Sequence, residues 1–202
     1  MNKIIFADAE QGLRTLQDNS IDTCITSPPY YGLRDYGASG QIGLESSPQE
    51  YIDRLVRVFR EVRRVLKTDG TLWVVIADSY AGSGKGAAQY PDNAKKYKQG
   101  TNHGMVGASA TTKIPKQFNG IKPKDLIGIP WMLAFALRAD GWYLRQDIIW
   151  QKTNPMPESV RDRCTKCHEY IFLLSKAPRY YFDGEAIAEP TAESTKKGFH
   201  KI

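Results

Sequence analysis

No apolar run in this 202-residue chain approaches the ~20 residues that span a bilayer. The N-terminus lacks the long apolar core of a secretory signal. Cysteine is scarce: Cys24, Cys164 and Cys167 are an odd, small set for a disulfide framework. These absences exclude a helical membrane span and argue against secretion, so a cytosolic location and no membrane partner are expected. What remains is a globular composition, 41% hydrophobic and 25% charged. The length suits one domain with a substantial core.

The net charge of +6 is concentrated. Between Gly82 and Asp125 stand eight lysines, at 85, 95, 96, 98, 113, 116, 122 and 124, against Asp92 and Asp125. That 8 − 2 = +6 equals the charge of the whole chain. Such a segment suits a polyanion or a solvated loop, and composition alone does not separate the two. Residues 79–121 have no sustained periodicity and are rich in Gly, Ala, Lys and Asn; a structureless stretch of that length is normally functional or disordered.

Around it, the pattern alternates. Asn2–Phe6 reads as a strand ending at Ala7-Asp8, Glu10–Leu16 as one or two helical turns, and Ile21–Thr26 as a strand. Ser47-Pro48-Gln49-Glu50 is a helix start, with Ser at the cap, Pro in the first position and Glu in the third. Ile52, Leu55, Val56, Phe59, Val62 and Leu66 follow at helical spacing. Arg54, Arg57, Arg60 and Arg64 read as the solvated face. Asp69-Gly70 is expected to end the helix and turn into a buried strand, Thr71–Ala77. Asp125 is expected to cap a helix to about Ala139, with Leu126, Ile129, Leu133, Ala134 and Leu137 inward and Gly141 closing it. Tyr143–Gln151 and Glu169–Ser175 read as strands. The four tryptophans, Trp73, Trp131, Trp142 and Trp150, are assigned to packing. Strands alternating with helices predict an α/β fold with a mostly parallel sheet. Ligands of such sheets sit beyond the carboxyl ends of strands, where Asp8, Ser27–Tyr30 and Asp78 are expected.

Thr26-Ser27-Pro28-Pro29-Tyr30 is the most specific of these strand ends. Each proline fixes its own φ and restricts the residue before it. Pro28 and Pro29 offer carbonyls without N–H groups, and Tyr30 adds a flat wall. Such a shelf accepts hydrogen bonds from an amino group while the ring stacks on something planar.

The run Ile25-Thr26-Ser27-Pro28-Pro29-Tyr30 resembles the catalytic motif of the amino-methylating DNA methyltransferases, in the Ser form associated with N4-cytosine enzymes. The N6-adenine enzymes more often carry Asp or Asn there. Further segments are similar to bacterial and phage N4-cytosine methylases: Tyr31-Gly32-Leu33-Arg34-Asp35-Tyr36, Gln41-Ile42-Gly43-Leu44-Glu45, Trp150-Gln151-Lys152 with Asn154-Pro155-Met156-Pro157, and His168-Glu169-Tyr170-Ile171-Phe172. The resemblance covers residues 2–190 and is weakest over 87–120.

That resemblance implies a Rossmann-like S-adenosylmethionine-dependent methyltransferase fold, permuted with the catalytic half first. It implies methyl transfer to the N4 amino group of a flipped-out cytosine, with N6-adenine methylation as the alternative. Ser27, Pro28, Pro29 and Tyr30 are then the catalytic residues, and Asp8 is the acidic residue near the cofactor adenine. Double-stranded DNA is the implied substrate, bound by Lys85, Lys95, Lys96, Lys98 and Asn154. Residues 1–202 read as the catalytic part, with 79–124 a basic loop. The family's Phe-x-Gly-x-Gly cofactor motif is not found. Ala81-Gly82-Ser83-Gly84-Lys85-Gly86 lacks the aromatic and following helix, and misses the phosphate-loop spacing; it reads as a hinge or DNA-facing loop. An incomplete fold is therefore expected, with a missing C-terminal half or a cognate restriction endonuclease as partners. The alternative of another class is a non-catalytic DNA-binding fragment.

Cys164-Thr165-Lys166-Cys167-His168 matches a haem-attachment pattern, which requires export. It also offers three zinc ligands where a structural site wants four, and neither His103 nor His200 has ligand spacing. No metal is assigned. Cys24 reads as a buried strand residue.

Overall fold

Ser47 starts the longest helix as its sequence predicts. In the computed structural model, which describes residues 3–34, 36–81, 120–158 and 160–190, the Ser47 hydroxyl accepts the Glu50 N–H at 3.2 Å. Helix α2 then runs Pro48–Val65, after a short α1, Ala9–Arg14. Its buried stripe is Tyr51, Ile52, Leu55, Val56, Phe59, Val62 and Val65. Each of these side chains contributes roughly 1.5–3 kcal/mol when fully buried. All but Val65 form one core with Leu72, Val74 and Ile76 of strand β2, Leu66–Ile76, and with Ile129, Leu133, Ala134 and Leu137 of helix α3, Ile129–Ala139.

The arginine face of α2 is solvated in part, with Arg57 and Arg60 exposed and Arg54 and Arg64 half-buried, and it also makes structural contacts. Arg54 donates to the Gln41 carbonyl at 2.9 Å and pairs with Glu45. Arg60 makes a forked pair with Asp140 just beyond α3. Arg64 reaches Asp18 and the carbonyls of Leu13 and Leu16. Three of the four side chains thus tie α2 to neighbouring segments.

The helix passes straight into β2 without the turn expected at Asp69-Gly70. Gly70 instead lies inside the strand, where its pairing with β1, Ile21–Thr26, slips register. A Cβ on Gly70 would stand 3.0 Å from the carbonyls of Asp22 and Lys67. The glycine is needed for close backbone approach, not for helix termination.

Strands β3, Tyr143–Gln151, and β4, His168–Ser175, complete a sheet of order β1-β2-β4-β3. The expectation of a mostly parallel sheet needs correction at the level of pairing. β1 and β2 are parallel, but β2–β4 and β3–β4 are antiparallel. β4 inserts between two strands that share a direction. The connection from β3 to β4 carries no helix among the described residues and two prolines, Pro155 and Pro157, so it reverses the chain instead of returning it for another parallel strand.

Three further expectations fail. Residues 3–6 form no strand, and Phe6 is 95% exposed. α3 begins at Ile129, and Leu126 is exposed instead of inward. Trp142 is buried, but Trp150 is 49% exposed beside Lys152. No helix among the described residues is long and apolar enough to cross a membrane.

Candidate active site at the strand ends

The topology gathers four chain segments at one end of the sheet. β1 and β2 finish there, at Thr26 and Ile76. Because β4 runs the other way, it starts there: Tyr170 is opposite Ile76, and Glu169 is opposite Trp150 near the end of β3. Ser27–Tyr30, Asp78–Tyr80, Gln151–Lys152 and His168–Glu169 therefore share one rim.

On that rim Ser27 is exposed, Pro28 is buried, and Pro29 and Tyr30 are half-buried. The shelf is fixed from below. The hydroxyl of Tyr51, a residue 0% exposed on α2, donates to the Pro29 carbonyl at 2.8 Å. Gly43, at φ +106°, packs where a Cβ would meet the Tyr30 carbonyl at 3.2 Å. The Gly43 carbonyl in turn accepts the Gly32 N–H at 2.7 Å. Among the described residues no protein donor reaches the Pro28 carbonyl. Of the two proline carbonyls, that of Pro29 accepts a protein hydrogen bond and that of Pro28 accepts none among the described residues.

The Tyr30 hydroxyl donates to Glu169 Oε2 at 2.9 Å and accepts the Ser27 hydroxyl at 3.4 Å. Glu169 is also paired with Lys152. Burial pushes the Tyr30 phenol up to about 12; the Ser27 hydrogen bond opposes the rise and Glu169 adds to it. Tyr30 is neutral at any physiological pH.

Asp78 anchors the second strand end. Its carboxylate accepts the N–H groups of Ser79 at 2.9 Å, Gly128 at 3.0 Å and Ile129 at 3.0 Å. It thus caps α3, the role the sequence assigned to Asp125. Asp125 instead accepts the Lys122 N–H at 2.9 Å in the turn before. Lys166 donates to the Asp78 carbonyl at 3.1 Å, and burial holds its amine below the usual lysine range. The Ser79 hydroxyl reaches the Tyr31 carbonyl at 3.3 Å, joining the two strand ends.

The chain leaves this rim at Ala81 and comes back beside it. Ala81 exchanges backbone hydrogen bonds with Asp125 and Lys124 at 2.8 and 2.9 Å, and Ile127 bonds to Ser79 at 2.9 Å. The two flanks of the basic segment, Ala81 and Lys124–Asp125, are therefore held together at the strand-end rim. Lys85, Lys95, Lys96 and Lys98 lie outside the described residues, as does the glycine run from Gly82. Asn154 is exposed in the loop after β3.

Asp8 does not end a strand. It caps α1, accepting the Glu10 N–H at 3.0 Å and the Gln11 N–H at 3.4 Å, both on Oδ1. Cys24 is half-buried on β1 beside the core, where burial raises its thiol pKa. Cys164 is exposed, Cys167 half-buried, and the His168 ring packs edge-on against Tyr170 at 5.2 Å.

The sequence placed Asp78 at a strand end but not as the cap of α3, and it gave Tyr51, Lys152, Lys166 and Glu169 no role of their own. Their partners lie 17 to 139 positions away, beyond any local pattern.

Comparison with known proteins agrees with this geometry. The family model described as DNA methylase, N6/N4 type, matches residues 21–201. The chain is 52% identical over 191 residues to the Type II methyltransferase M.SmaI of Serratia marcescens, covering 95% of this chain and 61% of that protein. It is 52% identical over 182 residues to M.Cfr9I of Citrobacter freundii, covering 90% and 57%. The chain thus spans somewhat under two thirds of the length of these relatives. Among solved structures, the cytosine-N4-specific PvuII DNA methyltransferase superposes with a TM-score of 0.57 at 15% identity, covering 90% of this chain and 52% of that one. TTHA0409 of Thermus thermophilus, solved with S-adenosyl-L-methionine, gives 0.54 at 20%, covering 96% and 58%. The fold is that of these methyltransferases, and the chain belongs to the N6/N4 DNA methylase family.

Proposed function

We propose that this chain forms the base-binding half of a Type II DNA methyltransferase that transfers a methyl group from S-adenosylmethionine to the N4 amino group of cytosine. The observation that carries the reading is the rim itself. Ser27 and the unspent Pro28 carbonyl sit together at a strand end, on a shelf held rigid through Pro29 by Tyr51. The likeness to a cytosine-N4-specific enzyme supports the choice of base. The family also contains N6 enzymes, so adenine methylation is the competing outcome.

The exocyclic amine of cytosine is a poor nucleophile because its lone pair is delocalised into the ring. Ser27 Oγ and the Pro28 carbonyl take hydrogen bonds from it and make the nitrogen more tetrahedral. Acceptors placed in advance against developing positive charge are electrostatic preorganisation; holding the nitrogen in line adds proximity. No covalent enzyme intermediate is needed. The base leaves the helix stack at a cost of a few kcal/mol, and stacking on Tyr30 returns ~1–3 kcal/mol.

S-adenosylmethionine, when bound, supplies the electrophilic methyl. Asp8 fits a cofactor hydroxyl or amine, since both of its backbone hydrogen bonds fall on Oδ1 and its second oxygen is available. The basic segment over 79–124 is assigned to the DNA backbone, with Lys85, Lys95, Lys96 and Lys98 on phosphates and Asn154 near the base pocket. Completion of the donor site by a C-terminal half belongs to the same proposal, as does pairing with a restriction endonuclease.

Incubating the protein with duplex DNA and methyl-labelled S-adenosylmethionine, then digesting to nucleosides, tests the reading. N4-methylcytosine supports it. N6-methyladenine overturns the choice of base. Failure to bind S-adenosylmethionine, measured by titration, assigns the chain to DNA binding alone.

A further inference from the structure

A serine hydroxyl is both donor and acceptor, so by itself it is an ambiguous partner for an amino group. If its proton faces the substrate, the oxygen's acceptor capacity is turned away. A carboxylate in the same position has no such ambiguity. The chain of groups behind Ser27 removes it.

Glu169 has acceptor oxygens only. Oε1 is occupied by the Lys152 ammonium, and Oε2 accepts the Tyr30 hydroxyl at 2.9 Å. With its proton committed to Glu169, the Tyr30 oxygen is left as an acceptor. It lies 3.4 Å from Ser27 Oγ and receives that proton. The lone pairs of Ser27 are then directed away from Tyr30. The four groups come from three segments: Ser27 and Tyr30 from the exit of β1, Lys152 from the end of β3 and Glu169 from the start of β4. Donation runs from Ser27 to Tyr30 to Glu169, with Lys152 donating to the same carboxylate from its other oxygen, and the two hydrogen bonds in series polarise each other.

We infer that Glu169, held by Lys152, is a positioning residue that acts through Tyr30 to commit the Ser27 hydroxyl to accepting hydrogen bonds from the substrate amino group. This rests on the function proposed above. It also gives Tyr30 a second task besides stacking, at its hydroxyl instead of its ring.

The test combines kinetics with a spectroscopic readout, on the full-length protein. Glu169→Gln preserves shape but removes the committed acceptor, because an amide also donates. Single-turnover methyl transfer is expected to slow about tenfold while KM for DNA stays within about twofold. In a Tyr30→Phe background the chain is already cut, so the same substitution is expected to add less than about twofold. Independent, additive losses would overturn the inference. Tyrosine labelled with 13C at Cζ supplies the second measurement, the Tyr30 resonance being assigned by its loss in Tyr30→Phe. Glu169→Gln is expected to shift that resonance and lower the pH at which it titrates. An unmoved resonance overturns the chain whether or not the protein turns over. A shifted resonance in a protein that methylates neither base supports the chain and sinks the functional reading instead.

Discussion

Asp78 and Ile129 are joined by a 3.0 Å hydrogen bond across 51 positions of sequence, from the carboxylate at the end of β2 to the first N–H of α3. With Gly128 and Ser79 held by the same side chain, one residue fixes both a strand exit and a helix entrance. Asp78→Ala strips these N–H groups of their charged acceptor. A loss of about 2–3 kcal/mol is expected, seen as a fall in Tm of roughly 4–12 °C for a chain of this size. An unchanged melting curve would remove Asp78 from the account.

The Tyr51 hydroxyl provides a more selective probe of the shelf. Tyr51→Phe leaves the aromatic packing intact and deprives the Pro29 carbonyl of its donor. About 1–2 kcal/mol of stability should be lost. Methyl transfer should fall further than stability does, because the shelf loosens where the amine must be aligned. Equal effects on both would argue that Pro29 is only scaffold.

Gly70→Ala tests the register slip between β1 and β2. The added methyl meets two backbone carbonyls that have no flexible end to give. Overpacking of this kind costs about 1–3 kcal/mol, and urea denaturation is the measurement. A neutral substitution would mean that the strands part more easily than their pairing suggests.

Ser27→Ala removes an exposed hydroxyl with little structural burden. Methylation is expected to drop by about 10²-fold or more while DNA affinity holds within about twofold. A variant with normal turnover would exclude Ser27 from the chemistry.

Neutralising Lys95, Lys96 and Lys98 together to Gln should weaken DNA binding and flatten its dependence on salt. Three lost phosphate contacts reduce the slope of log K against log salt by roughly 2–3. An unaltered slope would show that the basic segment faces solvent and not DNA.

Much of this was legible because the signals were local. The Ser47 cap, the apolar spacing of α2 and the strands β1, β3 and β4 follow from neighbouring residues. The failures share a cause as well. Residues 3–6 are apolar enough for a strand, but a strand also needs a partner, and none pairs with them among the described residues. The cap of α3 was assigned to Asp125 because it stands close in sequence, whereas Asp78 reaches it from 50 positions away. Gly70 looked like a helix stop because a turn glycine and a close-approach glycine read alike. At the site, Ser27–Tyr30 announced itself as a motif. Glu169 lay within a segment noted for its resemblance, but its contact with Tyr30 spans 139 positions and depends on β4 running antiparallel.

The hydrogen bonds between Ala81 and Lys124–Asp125 close the base of the basic segment. Chain running between two anchors that are hydrogen-bonded to each other has its ends already held together, so lengthening it would cost little, about 0.6 kcal/mol per doubling. The strand pairing that sets Ser27, Tyr30 and Glu169 at one end of the sheet, β1 with β2 and β2 with β4, involves none of these anchor residues.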